Sequence, residues 1–427
     1  MFGLEAPGQL RQWRGSRDKE SRPVDRPHFN ADVLRKPVSP RLAFSGYYIG
    51  QFLFLGVQLP FYAGYLDARG LSPATIGKLV AIALVLRLIF APIIAFQSEK
   101  LTHPRNAMIY ASAGLTLSCA LALVAPGAAV LSIATIGLLF SFGLIMPLTD
   151  AAVLRADRRG ELSYGPVRSI GSASFIAANL IGGAVISVTD DRMAIIWMTV
   201  AAFIALLLAF KLPKDGANDA PRPKPDFKKA LILFRSRSFL YLLFAAAFVQ
   251  GSHAVYYAFS ELSFSAAGYP SWIIGWMWTI GVLAEIVFLA KGKKLMMRLG
   301  PTGLLLIGAA GAILRWPLLG LNPPLLILFP VQILHLATYA ATYMATVEFV
   351  GEAVPEEYRA TAMTIIASLG IGAVTGVATM LSGYIFDPVS PFKAYAVMGM
   401  MGGAGLILAL MLRARWDGGT LHAVKDA

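Results

Sequence analysis

The sequence predicts an all-α integral membrane protein in which twelve transmembrane helices form two pseudo-symmetric six-helix bundles. Of the 427 residues, 57% are hydrophobic and only 14% are charged, whereas a soluble domain carries about 25% charged residues. The apolar residues form long runs without alternation, which favours helices over a membrane barrel. A spanning helix needs about 20 such residues, and twelve runs are long enough.

The twelve runs are bounded by charged residues, proline or glycine. The first six predicted spans lie near 42–65, 75–96, 106–125, 128–148, 164–188 and 193–210. The second six lie near 239–260, 269–290, 302–320, 324–347, 360–385 and 394–412. Two pairs of spans are so close that Pro126-Gly127 and the run from Leu319 to Pro324 must form tight turns.

The basic residues predict the orientation in the membrane. Thirty of the 37 Lys and Arg residues fall on the side of the N-terminus, and three, Arg69, Arg192 and Lys393, fall on the other. Cytoplasmic loops carry the excess of Lys and Arg, so we expect both termini in the cytoplasm of a bacterial-type cell and the helices in its inner membrane. The net charge of +13 does not indicate a nucleic-acid partner, because the basic residues lie between hydrophobic segments.

The polar segments predict the domain organisation. Residues 1–41 are polar and basic, which predicts a disordered cytoplasmic N-terminus. Two bundles, 42–210 and 239–412, flank a stretch at 211–238 that is rich in proline and charge. We expect a flexible linker there, with a regulatory segment as the alternative. Residues 413–427 form a cytoplasmic tail.

The two bundles show a faint internal repeat. When Arg87-Leu-Ile-Phe90 is aligned with Glu285-Ile-Val-Phe288, the two phenylalanines are aligned with each other. In the same register Lys100 is aligned with Arg298. This register predicts parallel repeats related by an axis along the membrane normal, with a solute site between them near mid-membrane.

Several separated stretches carry a family resemblance. Asp150 precedes Arg168 by 18 residues, and Arg168 lies in Tyr164-Gly-Pro-Val-Arg168-Ser-Ile-Gly171-Ser. The later stretches are Glu285, Arg298-Leu-Gly-Pro301, Arg315-Trp316, Gln332-Ile-Leu-His335 and Arg359-Ala-Thr-Ala. In this order and spacing the chain resembles the major facilitator superfamily, specifically the branch of lactose permease and the phenylpropionate permeases. The resemblance covers nearly all of the chain after residue 41 and implies a major facilitator fold and a permease function.

Charged residues inside the membrane are candidate functional residues, because each costs at least about 2.5 kcal/mol at the bilayer centre. The resemblance implies that Asp150 and Arg168 bind the solute; the alternative is a charge pair that only joins two helices. It also implies that Glu285, Arg315 and His335 couple proton movement to solute movement, with a purely structural network as the alternative.

Glu285 is the first choice for the proton site. The carboxylate that lactose permease carries one turn after its histidine is replaced here by Thr338. A carboxylate buried among helices binds a proton more readily, and a nearby arginine opposes this, so moving the arginine drives protonation or release.

Polar and aromatic residues at helical spacing complete the predicted solute site. Such a lining suits a solute with a ring and a polar end, and it does not separate a sugar from an aromatic acid. The buried positive charge of Arg168 and Arg315 favours an organic anion. The further candidate solute-binding residues are Gln51, Gln250, Tyr257, Gln332 and Tyr339.

These features predict a secondary transporter working by alternating access, most simply a proton symporter. A uniporter and a non-transporting sensor with the transporter fold are the alternatives. No phosphate-binding loop indicates use of ATP, and no nucleophile with a base or zinc-protease motif indicates an enzyme. We expect a small-molecule solute, protons and the lipid bilayer as partners, no cofactor, no metal and a monomeric protein.

Overall fold

The computed structural model describes residues 38–100, 103, 105–214 and 231–421. Within these residues the chain forms twelve helices long and apolar enough to cross a membrane, which confirms the predicted count. They are α1 (Pro40–Ala68), α2 (Pro73–Lys100), α3 (Arg105–Val124), α4 (Ala128–Arg158), α5 (Tyr164–Val188), α6 (Arg192–Ala209), α7 (Arg237–Ala266), α8 (Ser271–Lys291), α9 (Lys293–Gly320), α10 (Leu325–Ala353), α11 (Glu356–Ile385) and α12 (Phe392–Arg415).

Some helices extend beyond their apolar runs, because hydropathy marks the lipid boundary rather than the end of the helix. Helix α4 continues to Arg158, past the predicted end at 148. It stops where Gly160 adopts a φ of 72° and Glu161 N–H donates to the carbonyl oxygen of Ala156 at 3.0 Å. This is a Schellman termination, which needs a residue that tolerates the left-handed region.

Four helices of the second half are locally irregular. Helix α7 is interrupted at Ser252 and His253, and α9 contains Gly300 with a φ of 66°. Helices α10 and α11 contain π-helical segments at Leu336–Ala341 and Ile366–Gly372. Single π turns inside α-helices are frequent at functional sites, and the segment of α10 directly follows the predicted proton-coupling histidine.

The helices pack in two related sets. In the first half α1 packs on α5 and α6, and α3 packs on α4 and α6. In the second half the equivalent helix α7 packs on α11 and α12, and α9 packs on α10 and α12. The two halves meet where α2 contacts α11, where α5 contacts α8 and where α1 contacts α7. These contacts have the arrangement expected of parallel repeats.

Close contacts between the halves follow the repeat register predicted from the sequence, which pairs Gly77 of α2 with Gly275 of α8. A Cβ atom at Gly77 would lie 2.7 Å from the carbonyl oxygen of Thr379 on α11. A Cβ atom at Gly275 would collide in the same way with the carbonyl oxygen of Asn179 on α5. Two glycines at equivalent positions therefore allow the halves to approach each other.

We name the two sides of the membrane by the course of the chain. The terminal side is the side on which α1 begins and α12 ends, and the distal side is the opposite side. The glycine contacts lie within the first two turns of α2 and α8, which begin on the distal side. The halves are therefore closed against each other on the distal side.

Parts of three predicted segments lie outside the described residues: 1–37 of the N-terminal segment, 215–230 of the linker and 422–427 of the tail. The last described part of the linker is ordered, since Leu231–Arg235 forms a 3-10 helix ahead of α7. In the tail, Leu421 N–H donates to the carbonyl oxygen of Ala353 at 2.9 Å, so this segment packs against the end of α10.

Candidate functional site

Arg315 lies within α9 and is fully buried. Its Nη1 atom lies 3.0 Å from His335 Nδ1 and donates to Thr338 Oγ1 at 3.1 Å, and its Nη2 atom donates to Gln332 Oε1 at 3.1 Å. The guanidinium carbon also lies 4.6 Å from the centre of the Trp316 ring. Hydrogen bonds to α10 and stacking on an aromatic face replace the water that the cation loses on burial.

The contact with Arg315 fixes the tautomer of His335. A guanidinium has donors and no acceptor, so His335 Nδ1 must accept, and the neutral ring carries its proton on Nε2. That Nε2 atom lies 3.6 Å from Glu285 Oε2. The three residues that the sequence predicted for proton coupling therefore form one chain of side chains across α9, α10 and α8.

His253, at the interruption of α7, extends this chain. Its Nδ1 atom lies 2.9 Å from the carbonyl oxygen of Gln250 and must donate to it, because a carbonyl oxygen only accepts. In the neutral ring Nε2 then accepts, and it lies 3.1 Å from Thr338 Oγ1. The Thr338 hydroxyl thus donates to His253 while it accepts from Arg315. At this position the Thr338 hydroxyl joins Arg315 to His253 without adding a charge.

Asp150 and Arg168 form the charged centre of the first half. Arg168 Nε lies 3.9 Å from Asp150 Oδ1, and the hydroxyl groups of Tyr48 and Tyr164 both donate to the same oxygen. The Arg168 guanidinium carbon lies 4.6 Å from the centre of the Phe52 ring. The ion pair is long, so the fork of donors on Arg168 is not used up by Asp150.

The two charged centres face each other across the halves. The Asp150 and Arg168 side chains are 33% and 30% exposed, and the Glu285 side chain is 21% exposed. Arg168 lies close enough to interact electrostatically with both Glu285 and Tyr339. Because solvent reaches both centres and the distal side is closed, we infer that the space between them opens toward the terminal side.

The predicted solute-binding residues fall into two groups, one partly exposed to solvent and one buried. Asp150, Arg168, Tyr257 and Tyr339 are partly exposed, and the Tyr339 ring stacks on His335 with centroids 5.2 Å apart. The three glutamines are buried in this conformation, so their predicted contact with a solute stays a prediction. Gln51 donates to Thr149 Oγ1 at 3.0 Å, Gln250 donates to the carbonyl oxygen of Tyr339 at 3.2 Å, and Gln332 accepts from Arg315.

Arg87, like Arg315, is an intramembrane cation that forms no ion pair among the described residues. It does not pair with Glu285, its counterpart in the repeat. Its side chain lies against Gly143 of α4 and approaches Gly372 in the π-helical segment of α11. Arg87 therefore places a second uncompensated positive charge between the halves.

Tyr48, Tyr164 and His253 contact the charged centres but were not among the site residues predicted from the sequence. Tyr48 and Tyr164 bind Asp150, and His253 binds the threonine next to Arg315. Tyr48 and His253 lie among aromatic and polar residues at helical spacing, so the signal was present in the sequence. Their contacts come from different helices, which spacing within one helix cannot show.

The described part of the chain offers no group of three or more His, Cys, Asp or Glu side chains placed to hold a metal ion. Cys119 is a free, buried thiol in α3. The groups that meet between the halves are cations, carboxylates, histidines and hydroxyls, and these suit the binding of an anion and the movement of a proton.

Comparison with protein families and curated proteins agrees with this arrangement. The model of the MFS_1 like family matches residues 42–397. A "Probable 3-phenylpropionic acid transporter" of Escherichia coli is 30% identical over 347 residues, which cover 80% of this chain and 89% of that protein. The "Uncharacterized transporter YwbF" of Bacillus subtilis is 24% identical over 384 residues, covering 89% of this chain and 95% of that protein.

Solved structures show the same fold. The nucleoside transporter NupG superposes with a TM-score of 0.75 over 89% of this chain and all of that chain, at 15% identity. A D-xylose-proton symporter superposes with a TM-score of 0.65 over 89% of this chain and 97% of that chain, at 16% identity. At this identity the likeness extends to the fold and not to the solute.

Proposed function

Because this chain belongs to the MFS_1 like family and is a multi-pass membrane transporter, we propose that it is a proton-coupled symporter of an aromatic carboxylic acid. The two halves alternate in exposing a central site to either side of the membrane. The observation that carries the proposal is the chain of contacts from Arg315 through His335 to Glu285, a carboxylate on which Arg168 of the other half also acts electrostatically.

This interaction links the solute to the proton. When a solute carboxylate binds Arg168, it neutralises the charge that favours the ionised form of Glu285. Glu285 then takes up a proton, and by thermodynamic linkage the protonated protein binds the anion more tightly. His335 Nε2 lies 3.6 Å from Glu285 Oε2, and its N–H can donate to the ionised carboxylate once the two side chains move closer.

The nature of the solute follows from the exposed groups. Arg168 offers a planar fork of donors that matches a carboxylate, and the partly exposed rings of Tyr257 and Tyr339 supply aromatic surface. Arg87 adds positive charge between the halves. The relative named as a probable 3-phenylpropionic acid transporter makes 3-phenylpropionate the first compound to test, and a sugar is the alternative.

We further propose the inner membrane of a bacterial cell, with both termini in the cytoplasm, on the distribution of Lys and Arg. The cavity between the halves then opens to the cytoplasm. Labelling Ala68→Cys, an exposed position at the distal end of α1, with a membrane-impermeant maleimide in intact cells tests this orientation. Failure of the label to react before the cells are permeabilised would contradict it.

The function is tested in proteoliposomes with an imposed pH gradient. We expect wild-type protein to accumulate 3-phenylpropionate, and the medium on the acidic side to become more alkaline as solute enters. Glu285→Gln should abolish accumulation while keeping exchange of labelled for unlabelled solute, because exchange needs no net proton movement.

Glu348→Gln is the matched control, since Glu348 is an exposed carboxylate on α10 outside the chain of contacts. Accumulation that survives Glu285→Gln unchanged would contradict proton coupling through this residue. Solute entry without alkalinisation would favour the uniporter, and no solute movement with retained binding would favour the sensor.

A further inference from the structure

Glu261 is a buried carboxylate that the proposed coupling does not use. It lies near the distal end of α7 and is only 4% exposed. Its Oε2 atom has no hydrogen-bond partner, and no arginine or lysine of the described residues forms an ion pair with it. A buried ionised group of this kind is normally paired or bound to a metal, so its protonation state needs an explanation.

The carboxyl group of Glu261 lies in the contact between the two halves. It packs over the backbone of Gly64 on α1, where a Cβ atom would occupy the same space as both carboxyl oxygens. Gly64 lies four residues before the end of α1, on the distal side. Glu261 is therefore enclosed only as long as α1 and α7 remain together there.

Two acidic side chains act on Glu261, and the backbone N–H of Gly64 lies beside its carboxyl group. Asp67 of α1 and Asp191, directly before α6, both interact with it electrostatically. On the other helices packed against this part of α7, Lys78 of α2 lies over the Tyr384 ring of α11 at 5.2 Å. Helix α12 contributes the Tyr395 phenol, and the distal half of α8 carries no charged residue.

These surroundings oppose an ionised carboxylate in the closed conformation. The carboxyl group is buried and has no cation among the described residues to pair with. Burial of an unpaired charge is unfavourable, so the closed conformation holds the neutral acid. When α1 and α7 separate, the carboxyl group gains water, and the ionised form becomes stable at neutral pH. Closure on the distal side and proton binding by Glu261 are therefore linked.

We propose that Glu261 is a second proton-binding site, which must take up a proton from the distal side before the halves close there. The proton returns to the distal side when the halves reopen, because Glu261 stays enclosed while the cavity opens on the terminal side. Glu261 thus sets how closure depends on pH and adds nothing to the number of protons moved per solute. This inference rests on the proposed alternating access.

The test is a distance measurement without solute. Spin labels at Ala68→Cys and Ala267→Cys, exposed positions at the distal ends of α1 and α7, report the separation in a Cys119→Ala background. We expect the closed fraction to rise as the pH falls, with the closed-to-open ratio changing by up to about tenfold per pH unit for one linked proton. In Glu261→Gln the short distance should persist at every pH.

Asp387→Asn is the matched control and should keep the pH response, because this distal acid is exposed and bonds only backbone N–H groups of its own turn. A pH response that survives in Glu261→Gln, or its absence from the starting protein, would overturn the proposal. The measurement needs no solute, so neither result bears on uptake by Glu285→Gln, which tests the proposed function separately.

A second pair of variants tests the packing without titration. Gly64→Ala should favour the open distal conformation, because its methyl group and the Glu261 carboxyl group cannot share the space. Gly64→Ala combined with Glu261→Ala should restore the short distance. If Gly64→Ala leaves the distance unchanged, the carboxyl group does not lie in the contact and the proposal is wrong.

Discussion

Arg315 Nη1 lies 3.0 Å from His335 Nδ1, which leaves this ring nitrogen without a proton. The opposite nitrogen, Nε2, must then carry the proton and faces Glu285. A fully buried arginine thus determines which hydrogen-bonding group is offered to the carboxylate on α8, although the two residues do not touch. The predictions below follow from this chain of contacts and from the contacts of the facing half.

Thr338→Val should destabilise the protein by about 1–3 kcal/mol, because it leaves buried donors of Arg315 and an acceptor of His253 without partners. Thr346→Val is the control, since the Thr346 hydroxyl bonds only the carbonyl oxygen of Thr342 one turn earlier. Thermal unfolding in detergent should show a clearly larger fall in Tm for Thr338→Val. Equal falls would mean that the Thr338 hydroxyl does not join the two side chains.

Arg168→Lys should weaken binding of 3-phenylpropionate about 10- to 100-fold. A lysine keeps the charge but loses the planar fork, and a hydrogen bond to a charged group contributes about 1.5–3 kcal/mol. Binding is measured by isothermal calorimetry on purified protein. The uncharged amide of the same acid is the control ligand, and its weaker binding should change little. If both ligands lose affinity equally, Arg168 supports the fold and does not bind the carboxylate.

Binding of 3-phenylpropionate should tighten as the pH is lowered from about 8 to about 6, by at most about tenfold per unit, because one proton is taken up with the anion. The solute itself stays ionised over this range, since an ordinary carboxyl group titrates near pH 4. In a Glu261→Gln background, which removes the second proton site, Glu285→Gln should bind with an affinity that does not depend on pH. A pH dependence that persists in this variant would assign the proton to another group.

Gly275→Ala should hinder closure on the distal side, because the new methyl group meets the carbonyl oxygen of Asn179. Overpacking of this kind costs about 1–3 kcal/mol, so uptake should slow about 5- to 100-fold. Gly403→Ala is the control, since a Cβ atom there meets nothing within 4 Å. The repeat predicts that Gly77→Ala slows uptake as Gly275→Ala does. Unchanged uptake in Gly77→Ala would argue against equivalent roles for the two glycines.

The sequence predicted the membrane fold well because lipid imposes a simple rule on every segment. A span must be apolar for about 20 residues whatever its neighbours are, so each of the twelve helices could be recognised alone. Helix ends were less certain, as the extension of α4 to Arg158 shows. There the end depends on Gly160 and its backbone conformation, which hydropathy does not report.

The candidate site was predicted in part. Glu285, Arg315 and His335 stand out in the sequence as ionisable residues inside apolar runs, and the structure brings them together. His253 and Glu261 also lie in an apolar helix but were not assigned. Glu261 falls just beyond the predicted span 239–260, so its burial became visible only when α7 was seen to extend to Ala266.

By itself the sequence determined that this chain crosses the membrane twelve times, that its halves are related and that charges lie within the bilayer. These properties depend on composition along the chain. Only the tertiary structure decided which charges meet: that Arg168 faces Glu285 from the other half, that Thr338 joins Arg315 to His253, and that Glu261 is enclosed against Gly64. Which side chains on different helices come into contact depends on how those helices pack. The periodicity of residues within one helix carries no information about that packing.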